Sequence, residues 1–187
     1  NLLLKVLLQK TKLPTLQHNI SSGNSLVSGN AEKLEKYFGP DFREQRAFDF
    51  EDEFKDAFEQ GGFDVIIGNP PYGAELSKTQ QEYFKDIYDI GSTDTAILFI
   101  KRSLELLKDG GKLSFIVPKA LCFASNWRKI REHIWDNMEI IIDCGKAWKE
   151  VKLEQVVFVL NKGKKSANYT SGKFENGHLK ILGKINK

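Results

Sequence analysis

The sequence predicts an α/β fold with a mostly parallel sheet and an antiparallel hairpin at its end. Three observations lead there. Apolar runs rich in β-branched residues recur as FDVIIG (63–68), KLSFIVP (112–118) and EIIIDC (139–144), a composition suited to strands buried on both faces. Between them lie segments of helical period, long enough to carry the chain back for parallel pairing. A fourth run, QVVFVLN (155–161), follows EIIIDC after ten residues, close enough to pair with it antiparallel and form an edge.

The opening NLLLKVLLQK reads as an amphipathic helix, because its interior lysines and the lack of a small-residue cleavage site argue against a leader or a span. Past Pro14, LQHNISSGNSL (16–26) predicts a short strand running into a Ser/Gly/Asn turn. Residues 31–60 predict one helical connection and a loop, with Phe50, Phe54 and Phe58 at helical spacing as packing groups. The strand at 63–68 then ends at Gly68, which lets the backbone turn closely, and Pro70 and Pro71 forbid further ladder pairing. After the polar, aromatic stretch 73–93, Ser92 or Thr93 caps a helix over 94–108, with Ala96, Ile100, Leu104 and Leu107 on one face. Gly110 and Gly111 end that helix before KLSFIVP, which also stops at a proline, Pro118. Ser125 caps a further helix over 126–137, and EIIIDC with QVVFVLN completes the series.

At 187 residues the chain has the length of one domain. With 41% hydrophobic and 28% charged residues it has a soluble globular composition, and the cytoplasm is the default compartment. Cys122 and Cys144 lack metal-type spacing and His18, His133 and His178 are scattered, so neither a disulfide framework nor a metal site is expected. A net charge of +3 does not by itself imply nucleic acid. Its distribution is more suggestive: acids dominate 32–59, while lysines dominate from Lys146 onward, a basic end that can face phosphates or simply be solvated.

The loop NPPY (69–72) has the parts of an amino-group site. An amino group conjugated to a heteroaromatic ring is a poor nucleophile, because its lone pair is delocalised. Two oxygens that accept its N–H bonds from the same side favour a pyramidal nitrogen and free that pair. The side-chain carbonyl of Asn69 and the backbone carbonyl of Pro70 can be those acceptors. Proline at 70 and 71 stiffens the loop, and Tyr72 offers a flat face on which a base can stack. Ligands in open α/β sheets bind outside the carboxyl ends of the strands, where this loop falls.

The series ISSGNSL, FDVIIGNPPYG, TDTAILFIKRSLELL, GGKLSFIVP, NWRKIREHI and CGKAWKEVKLEQVVFVL resembles, over 16–165, the catalytic domain of adenine-N6 DNA methyltransferases of the restriction-modification type, including fused restriction-methylase polypeptides. The resemblance implies a Rossmann-like S-adenosylmethionine-dependent methyltransferase fold, S-adenosylmethionine as cofactor without a metal, and double-stranded DNA whose target adenine is flipped into the site. It implies that Asn69 and the Pro70 carbonyl hold the adenine N6, with Pro71 stiffening the loop and Tyr72 stacking on the ring. Trp148 stands closest to the family's aromatic on the other side of the base. Asn24 takes the place where many relatives carry an acid against the cofactor's adenine.

No GxG-like cofactor loop precedes residue 20, so the resemblance also implies a catalytic-domain fragment, 1–162, that holds the second half of the sheet and lacks the cofactor-loop half. Residues 163–187 are then a basic tail or the start of a recognition region. Such a fragment is expected to bind cofactor weakly and not to methylate alone, and the strand at 63–68, left with an open edge, is expected to pair with another chain. Two alternatives keep parts of this reading: a methyltransferase acting on a glutamine amide or an RNA base, and a non-catalytic DNA-binding scaffold with a methyltransferase-like core.

Overall fold

The computed structural model describes residues 20–147, 153–175 and 177–187. The amphipathic helix expected at the start, residues 16–19 of the strand and turn expected at 16–26, and Trp148 lie outside them. Within 20–26 the chain makes one isolated bridge, Asn24 to Ala47.

The segment 31–60 is not one helical connection. Asn30 caps α1 (Ala31–Phe38), and after a 3-10 turn at Phe42–Gln45 the Asp49 carboxylate accepts from the amides of Glu51 and Asp52 and starts α2 (Phe50–Glu53). Phe54 leaves helical geometry and separates α2 from α3 (Lys55–Glu59). The breaks let Phe50, Phe54 and Phe58 converge on one ring, Phe63, at centroid distances of 6.2, 5.5 and 5.5 Å. They are packing groups that seat the start of β1 (Phe63–Gly68). The chain enters β1 through Gly62, at φ +120°, where an added Cβ would lie 2.5 Å from the Leu106 carbonyl. Only glycine fits there.

The polar stretch after β1 holds a helix that the periodicity did not announce, α4 (Lys78–Tyr88). Ser77 and Gln80 form a reciprocal capping box at its start. Its buried Tyr83 and Tyr88 donate to the carbonyls of Ser28 and Leu26, at 2.8 and 2.7 Å, and so fix the loop ahead of α1. α5 (Thr95–Leu106) is capped by Asp94, not by Ser92 or Thr93; the Ser92 hydroxyl instead accepts from the Asp94 amide. The helix stops at Leu106, ahead of the glycine pair, and β2 (Leu107–Pro118) begins at once. Ser125 lies inside a 3-10 turn, Ser125–Trp127, and does not cap α6 (Arg128–Ile134). Then follow β3 (Met138–Gly145), β4 (Gln155–Asn161), β5 (Asn168–Glu175) and β6 (His178–Asn186).

The six strands form one sheet in the order β1-β2-β4-β3-β5-β6. β1 pairs with β2 and β3 with β5 in parallel, while β4 runs antiparallel to both β2 and β3, and β6 antiparallel to β5. Four strands therefore point one way and two the other. The hairpin of β3 and β4 forms as its short connection requires, but β4 is not an edge: it is inserted between β2 and β3. Its alternation explains this, since Val156, Phe158 and Leu160 are buried in one cluster with residues of α4, α5 and α6 and with Leu113, Phe115 and Val117 of β2. The basic stretch continues the same sheet through β5 and β6, and the antiparallel edge is β6.

Candidate functional site

Because β4 runs against its neighbours, its first residue meets the carboxyl ends of the others: Gln155 pairs with Pro118 of β2 and Gly145 of β3. The loop 69–72 leaves β1 at this same end, one strand over. Asn69 and Pro71 are exposed, Pro70 is buried, and Tyr72 is half-buried and packed against the core. The Thr95 hydroxyl, in the first turn of α5, donates to the Pro71 carbonyl at 2.7 Å. Gln155 donates through Nε2 to the Tyr72 phenol oxygen. Among the described residues no donor engages the Asn69 side chain or the Pro70 carbonyl. The loop is thus held through Pro71 and Tyr72, while Asn69 and the Pro70 carbonyl accept from no described donor.

Two glycines bound the loop, with different reasons. Gly68 has no positive φ; a Cβ there would come 3.1 Å from the Phe115 ring, so the residue serves close packing against β2 and not the turn expected of it. The turn falls at Gly73, at φ +69°.

Beside the loop, a cleft of 470 Å³ runs along the free edge of β1, between it, α5 and the Phe50 and Phe54 rings. It takes in Asn69, Pro70 and Pro71 at one end and Ser25 on its wall. This is within the roughly 300–1,000 Å³ of small-molecule clefts, and the lining is mostly apolar with few polar groups. The Arg102 guanidinium lies 5.6 Å from the Phe50 centroid, a cation–π contact that fixes the wall. Val65 and Ile67 on the open edge are 61% and 79% exposed, large values for residues of a buried-type strand.

The structure brings Asn69, Pro70, Pro71 and Tyr72 together, but Asn24 stands apart from them. Its side-chain oxygen accepts from the Leu26 amide at 3.1 Å, and it borders a separate depression with Glu44, Arg46 and Gln80. Its neighbour Ser25 is the residue that reaches the cleft. Trp148 lies outside the described residues, in the connection flanked by Gly145 and Gln155.

Below the hairpin connection, Lys119 reaches Asp143 at 2.8 Å and Glu154 at 3.0 Å. Hydrogen bonding to Asp143 and then Glu154 raises the Lys119 pKa above the ordinary lysine range. Burial pushes Asp143 up, but Lys119 and the Gly145 amide outweigh it and leave its carboxyl below the usual range. Asp94, the α5 cap, is raised by burial against the two amides it accepts from.

Thr95 and Gln155 are the residues that reading the sequence missed. Gln155 had a signal: a polar residue at the head of an apolar strand. Thr95 had none, because its hydroxyl meets a carbonyl 24 positions away. Among the described residues no group of three His, Cys, Asp or Glu side chains could hold a metal ion, and no helix is long and apolar enough to cross a membrane.

The chain is similar to proteins of restriction-modification systems. Its sequence is 33% identical over 133 residues to the Escherichia coli type II restriction enzyme and methyltransferase RM.Eco57I, covering 67% of this chain and 12% of that protein. The chain spans about a tenth of the length of the curated relatives it matches first. Among solved structures, the EcoKI M protein of a type I restriction enzyme matches 92% of this chain and 32% of its own, with a TM-score of 0.57 at 17% identity. A Listeria monocytogenes protein described as a class I S-adenosylmethionine-dependent methyltransferase matches 60% of this chain and 36% of its own, at 24% identity and a TM-score of 0.50. The fold is therefore that of the S-adenosylmethionine-dependent methyltransferases. Residues 2–147 match the Eco57I restriction-modification methylase model, and the chain belongs to that family.

Proposed function

We propose that this chain carries the base-binding half of a DNA methyltransferase of a restriction-modification system, moving a methyl group from S-adenosylmethionine to the N6 of a flipped adenine. One observation carries the reading: Asn69 and the Pro70 carbonyl are two acceptors at the end of β1 with no described donor, while the adjoining Pro71 carbonyl and the Tyr72 phenol are bound by Thr95 and Gln155. The acceptors take the two N6 hydrogens and turn the nitrogen lone pair out of conjugation. Tyr72 stacks on one face of the base. Trp148 is assigned the other face on its position in the hairpin connection, whose flanks Gly145 and Gln155 meet at this end of the sheet.

The cleft beside β1 fits a cofactor in volume and lining, with Phe50, Phe54 and Ser25 on its walls. S-adenosylmethionine, when bound, supplies an electrophilic methyl carbon on a sulfonium that departs as a neutral thioether. Ser25 is the polar residue of its segment that reaches this cleft, while Asn24 borders a separate depression, so no contact to the cofactor's adenine is assigned to Asn24. The nitrogen, once methylated, loses a proton to water; no side chain of this loop is a base. The cytoplasm is the compartment that goes with this reading.

Methyl transfer by the complete protein to an adenine-containing duplex, with the product identified by mass, tests this. N6-methyladenine that Asn69→Ala lowers at least about a hundredfold is the expected result. Transfer untouched by that substitution, or a methylated glutamine or RNA base, overturns it. The open β1 edge, with exposed Val65 and Ile67, supports pairing with a further strand, from a second copy where nothing else covers it. A single monomeric species of this chain in sedimentation at high concentration would remove that part.

A further inference from the structure

We infer that Gln155 is a positioning residue of this site, holding the Tyr72 ring in the orientation in which a base stacks on it; the inference rests on the reading of residues 69–72 above. Gln155 opens β4, a strand otherwise made of apolar residues and one terminal asparagine. It is 0% exposed. Its backbone is fixed from both sides, by Pro118 of β2 and by Gly145 of β3. Its Nε2 donates to the Tyr72 phenol oxygen, and its Oε1 has no partner among the described residues. Turning the amide round would change which of its two atoms is left unpaired, not the fact that one is.

A buried amide with an unpaired atom destabilises a fold relative to an apolar side chain of the same size. Packing alone therefore gives no reason for a glutamine here. Its one specific contact is the phenol, and that contact has a geometric consequence. The loop prolines fix the backbone ahead of Tyr72, and core packing supports one side of the ring, but the ring can still rock about its side-chain torsions. A bond to the phenol oxygen restrains the swing of the whole ring about its first torsion, and its anchor is a strand terminus. The same bond joins the head of β4 to the loop after β1.

The test uses the complete protein as wild type, Gln155→Met, Tyr72→Phe and the double variant. Methionine keeps the length and volume of glutamine and deletes the strong hydrogen bond. Each single variant is expected to lower kcat for methyl transfer about tenfold, through lost orientation, with KM for DNA held within about twofold. The double variant is expected to be no worse than either single one, because both remove the same bond. Losses that multiply, or an unchanged kcat in Gln155→Met, overturn the inference.

A second readout does not depend on catalysis. In protein labelled on its tyrosine rings, the NMR signals of Tyr72 are expected to shift in Gln155→Met, while those of Tyr83 and Tyr88, bonded to the loop ahead of α1, stay in place. Unmoved Tyr72 signals overturn the inference. If the wild type transfers no methyl group to DNA, the functional reading fails, while the ring signals still decide whether Gln155 holds Tyr72. Should Gln155→Met not fold, Gln155→Asn, which keeps the amide but withdraws it by one methylene, takes its place with the same expectations.

Discussion

β1 and β2 are parallel neighbours that end on the same side of the sheet, β2 at Pro118 and β1 at Gly68, two residues before Pro70, yet their ends do opposite things. After β2, the polar groups are engaged at once: the Lys119 amide donates to the Glu154 carbonyl at 2.8 Å, and its ammonium meets two carboxylates. After β1, the prolines are followed by restraints from a distance, Thr95 on Pro71 and Gln155 on Tyr72, while Asn69 and the Pro70 carbonyl stay free. A proline at a strand end is thus only a stop. What marks a site is a stop whose acceptors are left open while their neighbours are bound.

Substitutions at the two ends should separate in kind as well as size. Asn69→Ala has the largest expected effect, a loss of methyl transfer of about a hundredfold or more with an unchanged melting midpoint, since the side chain is exposed. Thr95→Val keeps the shape of a buried side chain but frees the Pro71 carbonyl. It is expected to lower kcat about tenfold through the misplaced loop, and kinetics with saturating DNA would measure this. Gly73→Ala forces a side chain onto φ +69°; urea unfolding should show a loss of about 1 kcal/mol.

The end of β2 should respond to pH instead. The lowered Asp143 pKa contributes stability that is present above the unfolded carboxylate value and lost as pH falls through the lower folded one. The raised Lys119 pKa contributes stability that is present below the unfolded lysine value and lost only as pH rises through the higher folded one. These groups are a third exposed, so Asp143→Asn is expected to cost at most about 1 kcal/mol near neutrality. The gap between variant and wild type should begin to close below about pH 4 and vanish only once pH has fallen through the lowered folded value of Asp143. A gap that persists there would mean that Asp143 acts through packing.

Much of this was legible in the residues because the strands announce themselves: FDVIIG, KLSFIVP, EIIIDC and QVVFVLN all form strands. The loop 69–72 stood out because two prolines after a β-branched run leave few structural uses for an asparagine and a tyrosine. The strand order was harder. A short connection says that β3 and β4 pair, but not that β4 turns inward to lie beside β2, which depends on the burial of Val156, Phe158 and Leu160. The short helices of 31–60 were hidden because Asp49 starts a new helix inside what looks like one period. α4 was readable from Ser77 and Gln80, a capping signal that its weak apolar period masked. The clamp by Thr95 and Gln155 joins residues 24 and 83 positions apart, a separation at which local pattern carries no information.

Four paired lysines lead to a last consequence. Lys112, Lys164, Lys165 and Lys173 each stand within 4 Å of a carboxylate, on Glu139, Glu139, Asp136 and Glu175. A lysine that already has a fixed counter-charge displaces few condensed cations when it meets a phosphate. The affinity of this chain for DNA should therefore fall with ionic strength more gently than its lysine count alone would dictate.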